Sequence, residues 1–156
     1  MVQWIMRWGL VGVVLLVGCR AKAPYEGKEV AELQRMLQSP DPKVQTQGAY
    51  GLSLLGREAG PAVPELIDAL KSGEALVRQN AALALTHIGS EAAAAVPVLT
   101  DALQDSEWPV RRQAALALGE VGQAAASAVP ALQKLTQDPE HLVRKAGAEA
   151  LKKIRS

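Results

Sequence analysis

The sequence repeats itself every 33 residues, and that period restricts the fold more than any other feature. AVPELIDAL begins at Ala62, AVPVLTDAL at Ala95 and AVPALQKLT at Ala128, with no insertion between copies. Counting back 33 places a weaker copy at Glu29-Val30-Ala31-Glu32-Leu33, with Ala where the others have Pro. A fixed period of this length is the signature of a stacked-repeat architecture.

Within each unit the apolar columns carry helical spacing. Val30, Val63, Val96 and Val129 align. So do Leu33, Leu66, Leu99 and Leu132, followed by Leu37, Leu70, Leu103 and Thr136. Offsets of three and seven place these on one face of a first helix. A break at Ser39, Ser72, Asp105 and Asp138 precedes a second set. It runs through Val44, Val77, Val110 and Val143 to Leu52, Leu85, Leu118 and Leu151, then to Leu55, Ile88, Val121 and Ile154. Gly56, Gly89 and Gly122 follow, where a left-handed C-cap favours glycine. Pro64, Pro97 and Pro130 stand near the start of each first helix, where a missing N–H costs little. One helix–turn–helix unit cannot bury its own apolar face, whereas four stacked units can. The expected fold is therefore all-α: an α-solenoid of four repeats, about 29–61, 62–94, 95–127 and 128–156. The small column Ala49, Ala82, Ala115 and Ala148 lets neighbouring helices approach closely.

VRQNAALALTHIG and VRRQAALALGEVG resemble the second helix of HEAT repeats, of the short kind called HEAT-like repeats of phycobilisome lyases. The middle repeats match that pattern almost fully. The last keeps Val143-Arg144, with Gly147 and Glu149 as departures, and the first has Gln45 for Arg and Gly48 for Ala. Divergent end repeats suit units with one face to water. Lys152, Lys153 and Arg155 suit a polar C-terminal cap.

The N-terminus has a different character. One charged side chain, Arg7, precedes the apolar run Gly9 to Val17, which is about half of what a membrane-spanning helix needs. That layout suits a secretory signal peptide at residues 1–18. Leu16-Val17-Gly18-Cys19 ends the run at the only cysteine. The tetrapeptide resembles the bacterial lipobox, and the resemblance implies lipidation of Cys19 and a bacterial cell-envelope location, lipid-anchored to a membrane. A thiol accepts a diacylglyceryl group as a thioether, and cleavage before it frees an amine for another acyl chain. Two or more chains anchor stably. Arg20 favours the outer membrane in enterobacterial envelopes. Residues 19–28 read as the lipidated cysteine and a short tether.

Composition narrows the partners. The whole chain has 17 basic and 16 acidic residues, and residues 1–18 hold one base and no acid. The remainder is formally neutral, which argues against charge-driven binding of nucleic acid. His87 and His141 are the only histidines and share no column, so no metal site is expected. No nucleophile–base grouping or phosphate loop is evident, no cofactor is expected, and the chain reads as a non-enzyme.

Three features remain as candidates. Glu74–Arg78, Glu107–Arg111 and Glu140–Arg144 recur at four-residue spacing and read as a structural ladder. Tyr50, Leu83 and Leu116 form an apolar column on second helices, rimmed by polar residues, and read as a partner groove. Trp108, in the intra-repeat turn of the third unit, is a candidate binding anchor. The function expected is an interaction scaffold for an unknown envelope protein. The alternatives are a bilin lyase-like enzyme and a structural spacer without a specific ligand.

Overall fold

A computed structural model describes residues 23–156; the leader and Cys19 lie outside the described residues. Among the described residues eight α-helices appear in chain order: α1 (Val30–Leu37), α2 (Pro42–Leu55), α3 (Val63–Ala69), α4 (Ala75–Ile88), α5 (Val96–Ala102), α6 (Trp108–Val121), α7 (Val129–Leu135) and α8 (His141–Arg155). No strand occurs among the described residues. Each repeat is a short first helix and a long second helix, as the 33-residue period requires.

The second helices stack side by side, α2 on α4 on α6 on α8, whereas neighbouring first helices barely touch. Close packing on one side and splaying on the other curve the stack, so the second helices form its inner, concave face. The core is one continuous cluster. Leu33, Leu66, Leu99 and Leu132 from the first helices meet Leu52, Leu85, Leu118 and the Val77–Val110–Val143 column, all essentially without solvent exposure.

The link from one repeat to the next holds a structure that the apolar periodicity does not reveal. Gly56–Ala62, Gly89–Ala95 and Gly122–Ala128 are 3-10 helices. Each is seated by two fully buried alanines: Ala59 and Ala62, Ala92 and Ala95, Ala125 and Ala128. Gly56, Gly89 and Gly122 have φ of 58°, 73° and 72°. Their ψ values lie between −128° and −140°, away from the left-handed helical cap expected. That region is open to glycine and strained for residues with a Cβ. The resulting kink turns the chain out of a second helix and into the next repeat.

The kinks also settle a question of length. Residues 75–102 and 108–135 are apolar enough to cross a membrane if read as unbroken helices. Each is interrupted at its glycine, leaving helices of 14 and 7 residues, well short of the ~20 a bilayer needs.

Part of the expected tether is folded. Residues 23–27 form a turn in which the Glu26 N–H donates to the Ala23 carbonyl at 2.9 Å. Tyr25 packs on the core and edge-on against Tyr50, with ring centroids 5.1 Å apart. A Cβ built on Gly51 would lie 2.6 Å from Leu33 Cδ2 and 2.9 Å from Tyr25 Cβ, so glycine there makes room for Leu33 and for the docked turn. This turn closes the N-terminal end of the stack.

Candidate functional site

The recurring arginines are tied between repeats. Arg78 donates through Nε and Nη2 to both carboxylate oxygens of Asp105, at 2.6 and 2.9 Å. Arg111 does the same to Asp138, at 2.8 and 3.1 Å. The third nitrogen of each, Nη1, donates to two carbonyls of its own turn: Ser72 and Gly73 for Arg78, Asp105 and Ser106 for Arg111. Each aspartate also accepts the backbone N–H of Glu107 or Glu140. One residue thus ties off its own turn and locks the preceding repeat.

This corrects the pairing expected from spacing. Glu74, Glu107 and Glu140 form no ion pair with Arg78, Arg111 or Arg144. They sit at the N-caps of α4, α6 and α8, without a side-chain cap hydrogen bond. The physical reason is direction. A side chain in the first turn of a helix leans back over its N-terminus, so the guanidinium reaches the turn carbonyls and the next repeat. The glutamates still favour the positive ends of their helices.

Burial would raise the carboxyl pKa of Asp105 and Asp138. The arginine hydrogen bonds, the backbone N–H and the neighbouring positive charges outweigh it, so both acids titrate below the usual aspartate range. Arg78 and Arg111 are raised, first by their aspartate hydrogen bonds, against opposition from burial.

The first junction lacks the clasp. In the first junction Gln45 and Ser72 stand where later junctions have Arg and Asp. Gln45 bonds only its own turn, through the Ser39 carbonyl. A cavity of about 300 Å³ remains there, lined by Gln45, Glu65, Asp68 and Ser72 among others. One Glu65 carboxylate oxygen is buried with no hydrogen-bond partner.

The concave column is less open than its pattern suggests. Tyr50 is exposed, but Leu83 and Leu116 are half-buried, and Leu116 packs on the core. Close stacking of α4 and α6 leaves only part of each leucine at the surface. Trp108 is the first residue of α6 rather than a turn residue, and it is exposed.

Sequence reasoning missed Leu54, Leu76 and Leu142, which are 59%, 62% and 48% exposed. With Tyr50 and Trp108 they complete the exposed large apolar residues among the described residues, and all five lie on second helices. Leu76, Trp108 and Leu142 mark one edge, at the N-terminal ends of α4, α6 and α8. The signal was present in the column Lys43, Leu76, Pro109 and Leu142, which falls outside the core-facing set.

Polar bonds knit the same face across repeats. His87 Nδ1 lies 2.7 Å from the Ser53 carbonyl, Gln113 donates to Thr86 Oγ1 at 2.8 Å, and Lys153 donates to Glu120 at 2.5 Å. Among the described residues no three His, Cys, Asp or Glu side chains converge as a metal site.

A family profile described as HEAT repeats matches residues 30–106 and 96–156. The chain belongs to the HEAT repeat family. Solved structures agree on the fold. Human deoxyhypusine hydroxylase in complex with glycerol aligns with TM-score 0.64 and 31% identity, over 83% of this chain and 44% of the other. A complex of CpcE and CpcF of phycocyanin lyase from Nostoc aligns with TM-score 0.67 and 24% identity, over 80% and 52%. A designed armadillo repeat protein in complex with the peptide (KR)4 aligns with TM-score 0.71 and 19% identity, over 80% and 64%. This HEAT chain therefore spans about half to two-thirds of each of these neighbours' length. No curated protein matches it.

Proposed function

We propose that this HEAT repeat domain is a protein-interaction scaffold that uses the second-helix face. The carrying observation is that every exposed large apolar side chain among the described residues, Tyr50, Leu54, Leu76, Trp108 and Leu142, lies on a second helix. Large exposed aromatic and aliphatic residues gathered on one surface are the usual anchors of an interface. Leu83 and Leu116 contribute their exposed edges to its floor. A partner meets apolar anchors at one edge and polar groups beyond them, so binding depends on shape and local contacts more than on net charge.

The scaffold reading is tested by pull-down with Leu76→Glu/Leu142→Glu. The double variant is expected to keep its helical circular dichroism and its Tm within 2–3 °C (roughly what exposed substitutions allow) while losing the partner. Retention of the partner by the folded variant overturns the reading.

The lipobox resemblance at Leu16–Cys19 supports anchoring at the bacterial envelope through Cys19. With Tyr25 docked on the first repeat, only residues 20–22 separate Cys19 from the folded part. The four steps from Cys19 to Ala23 reach at most about 14 Å, so the N-terminal end of the stack would be held close to the membrane surface. Metabolic labelling with a palmitate analogue is expected to tag the chain and to fail for Cys19→Ser. Equal labelling of both removes the anchor.

A further inference from the structure

A groove recurs where each repeat meets the next, and its first copy differs from the other two. At the third junction Arg111, Ala131, Lys134 and Asp138 line it, and at the second Val98, Asp101 and Asp105 do. The first copy is the cavity of about 300 Å³ lined by Gln45, Glu65, Asp68 and Ser72. These positions correspond at intervals of 33 residues. The later junctions each carry their own guanidinium, Arg78 on Asp105 and Arg111 on Asp138. In the first, Gln45 and Ser72 replace that pair, and Glu65 stands where the later grooves have Val98 and Ala131. The first groove therefore lacks the internal cation and carries an additional carboxylate.

The lining does not satisfy that carboxylate. Glu65 Oε2 is buried with no hydrogen-bond partner among the described residues. The Gln45 amide donates to the Ser39 carbonyl at 2.7 Å. The lining's own cation, Lys71, is paired with Asp68 at 3.1 Å, and both side chains are exposed at the rim. An acid in the first turn of α3 suits the helix dipole, but the dipole does not require a buried oxygen. A buried carboxylate oxygen without a donor is costly, and a donor entering the cavity relieves that cost.

We infer that the first-junction cavity binds a guanidinium group, the head of an arginine presented by a partner protein. The fold supplies the template, since the two later junctions seat a guanidinium between consecutive repeats with its fork on a carboxylate. Here Glu65 supplies the carboxylate, and buried Leu37 and Ala69 offer apolar contact to the methylene stem. A planar fork brings two donors to one carboxylate, whereas an ammonium is a point charge, so arginine is preferred to lysine. Exposed Gln38, Asp68 and Lys71 form the mouth, so the cavity encloses only the head of a side chain. A few charged hydrogen bonds hold a free small molecule weakly. Contacts outside the cavity must supply the rest, and a protein offers them. The inference rests on Glu65 and its cavity and is independent of the second-helix edge.

Two measurements test this on the full chain. In the first, N-acetyl-arginine amide is titrated while the backbone amides of Glu65 and Ser72 are followed by NMR, with N-acetyl-lysine amide as the control. A saturable shift is expected for the arginine derivative, with binding several-fold weaker for the lysine derivative. The shift should be lost in Glu65→Val, which installs the residue of the second groove, and in Gln45→Arg, which supplies a guanidinium from within. No saturable shift, equal binding of lysine, or a shift that survives Glu65→Val overturns the guanidinium site. In the second, a photoreactive residue at exposed Gln38 is irradiated in the native cells and the adduct is sequenced. The expected adduct is an arginine-bearing peptide of another protein, lost in Glu65→Val and in Gln45→Arg. No adduct, a peptide of this chain, or an adduct that survives both variants overturns the protein source; with the titration positive, it assigns the cavity to a free guanidino compound.

Discussion

Arg111 shows how much one side chain carries in a repeat protein. It spans two repeats with four hydrogen bonds and is paired to an aspartate whose side chain is only 7% exposed. Removing it strands that carboxylate. Arg111→Ala is expected to lower stability by about 3 kcal/mol, the scale of breaking a buried pair, while partner capture at the second-helix edge is unchanged. Denaturant unfolding together with the pull-down checks both halves. The aspartates set the pH response. Folding depresses their pKa, so the stabilisation they provide is present above the unfolded value of about 3.9 and is lost as pH falls through the lower folded value. Tm measured from pH 6 to pH 2 should therefore fall most steeply below about pH 4, and the fall should be shallower in Asp105→Asn/Asp138→Asn. Equal slopes in the two proteins remove the ladder as the acid-sensitive element.

Between elements, the first junction is the weak one. It lacks the Arg–Asp clasp, retains a cavity and leaves a Glu65 oxygen without a donor. Gln45→Arg should fill that cavity and offer Glu65 a donor, raising stability by about 1 kcal/mol, typical of a charged hydrogen bond gained. A lower Tm in the variant shows that the cavity cannot take the guanidinium. The kink at Gly89 is the opposite case, where nothing is missing. No atom crowds a Cβ there closer than 3.9 Å, so Gly89→Ala isolates the cost of its glycine-favouring backbone conformation, expected at about 1–3 kcal/mol. A neutral result means that the link repacks without its kink.

Across the whole molecule, stability is a chain of nearest-neighbour interfaces. Native-state hydrogen exchange should then show opening that begins at α1 and α2, where the clasp is absent, with α4 and α6 opening last. Uniform exchange across the four repeats contradicts that order. The scale of the stack also determines where the surfaces lie. Curvature gathers the second helices into one face, and the tyrosine turn packs against the first repeat.

The 33-residue period, the two helices per repeat and the leucine and valine core were legible in the sequence, because helical spacing and burial against a neighbour leave a pattern in every copy. Membership of the HEAT family followed from the same columns. The 3-10 links were not foreseen, since alanines such as Ala59 and Ala92 carry little hydrophobic signal and are buried only because the link folds under the next repeat. The partner of Arg111 was misassigned for a related reason. A glutamate four residues away is a near neighbour along the chain, but side-chain direction sends the guanidinium to an aspartate 27 residues on. Leu83 and Leu116 were expected to face outwards and are half-buried, because the spacing of α4 and α6 decides exposure and a single helix holds no record of it. Periodicity records what every repeat does alike; where two repeats meet, and where the stack ends, exposure and pairing depend on distances that exist only once the repeats are packed.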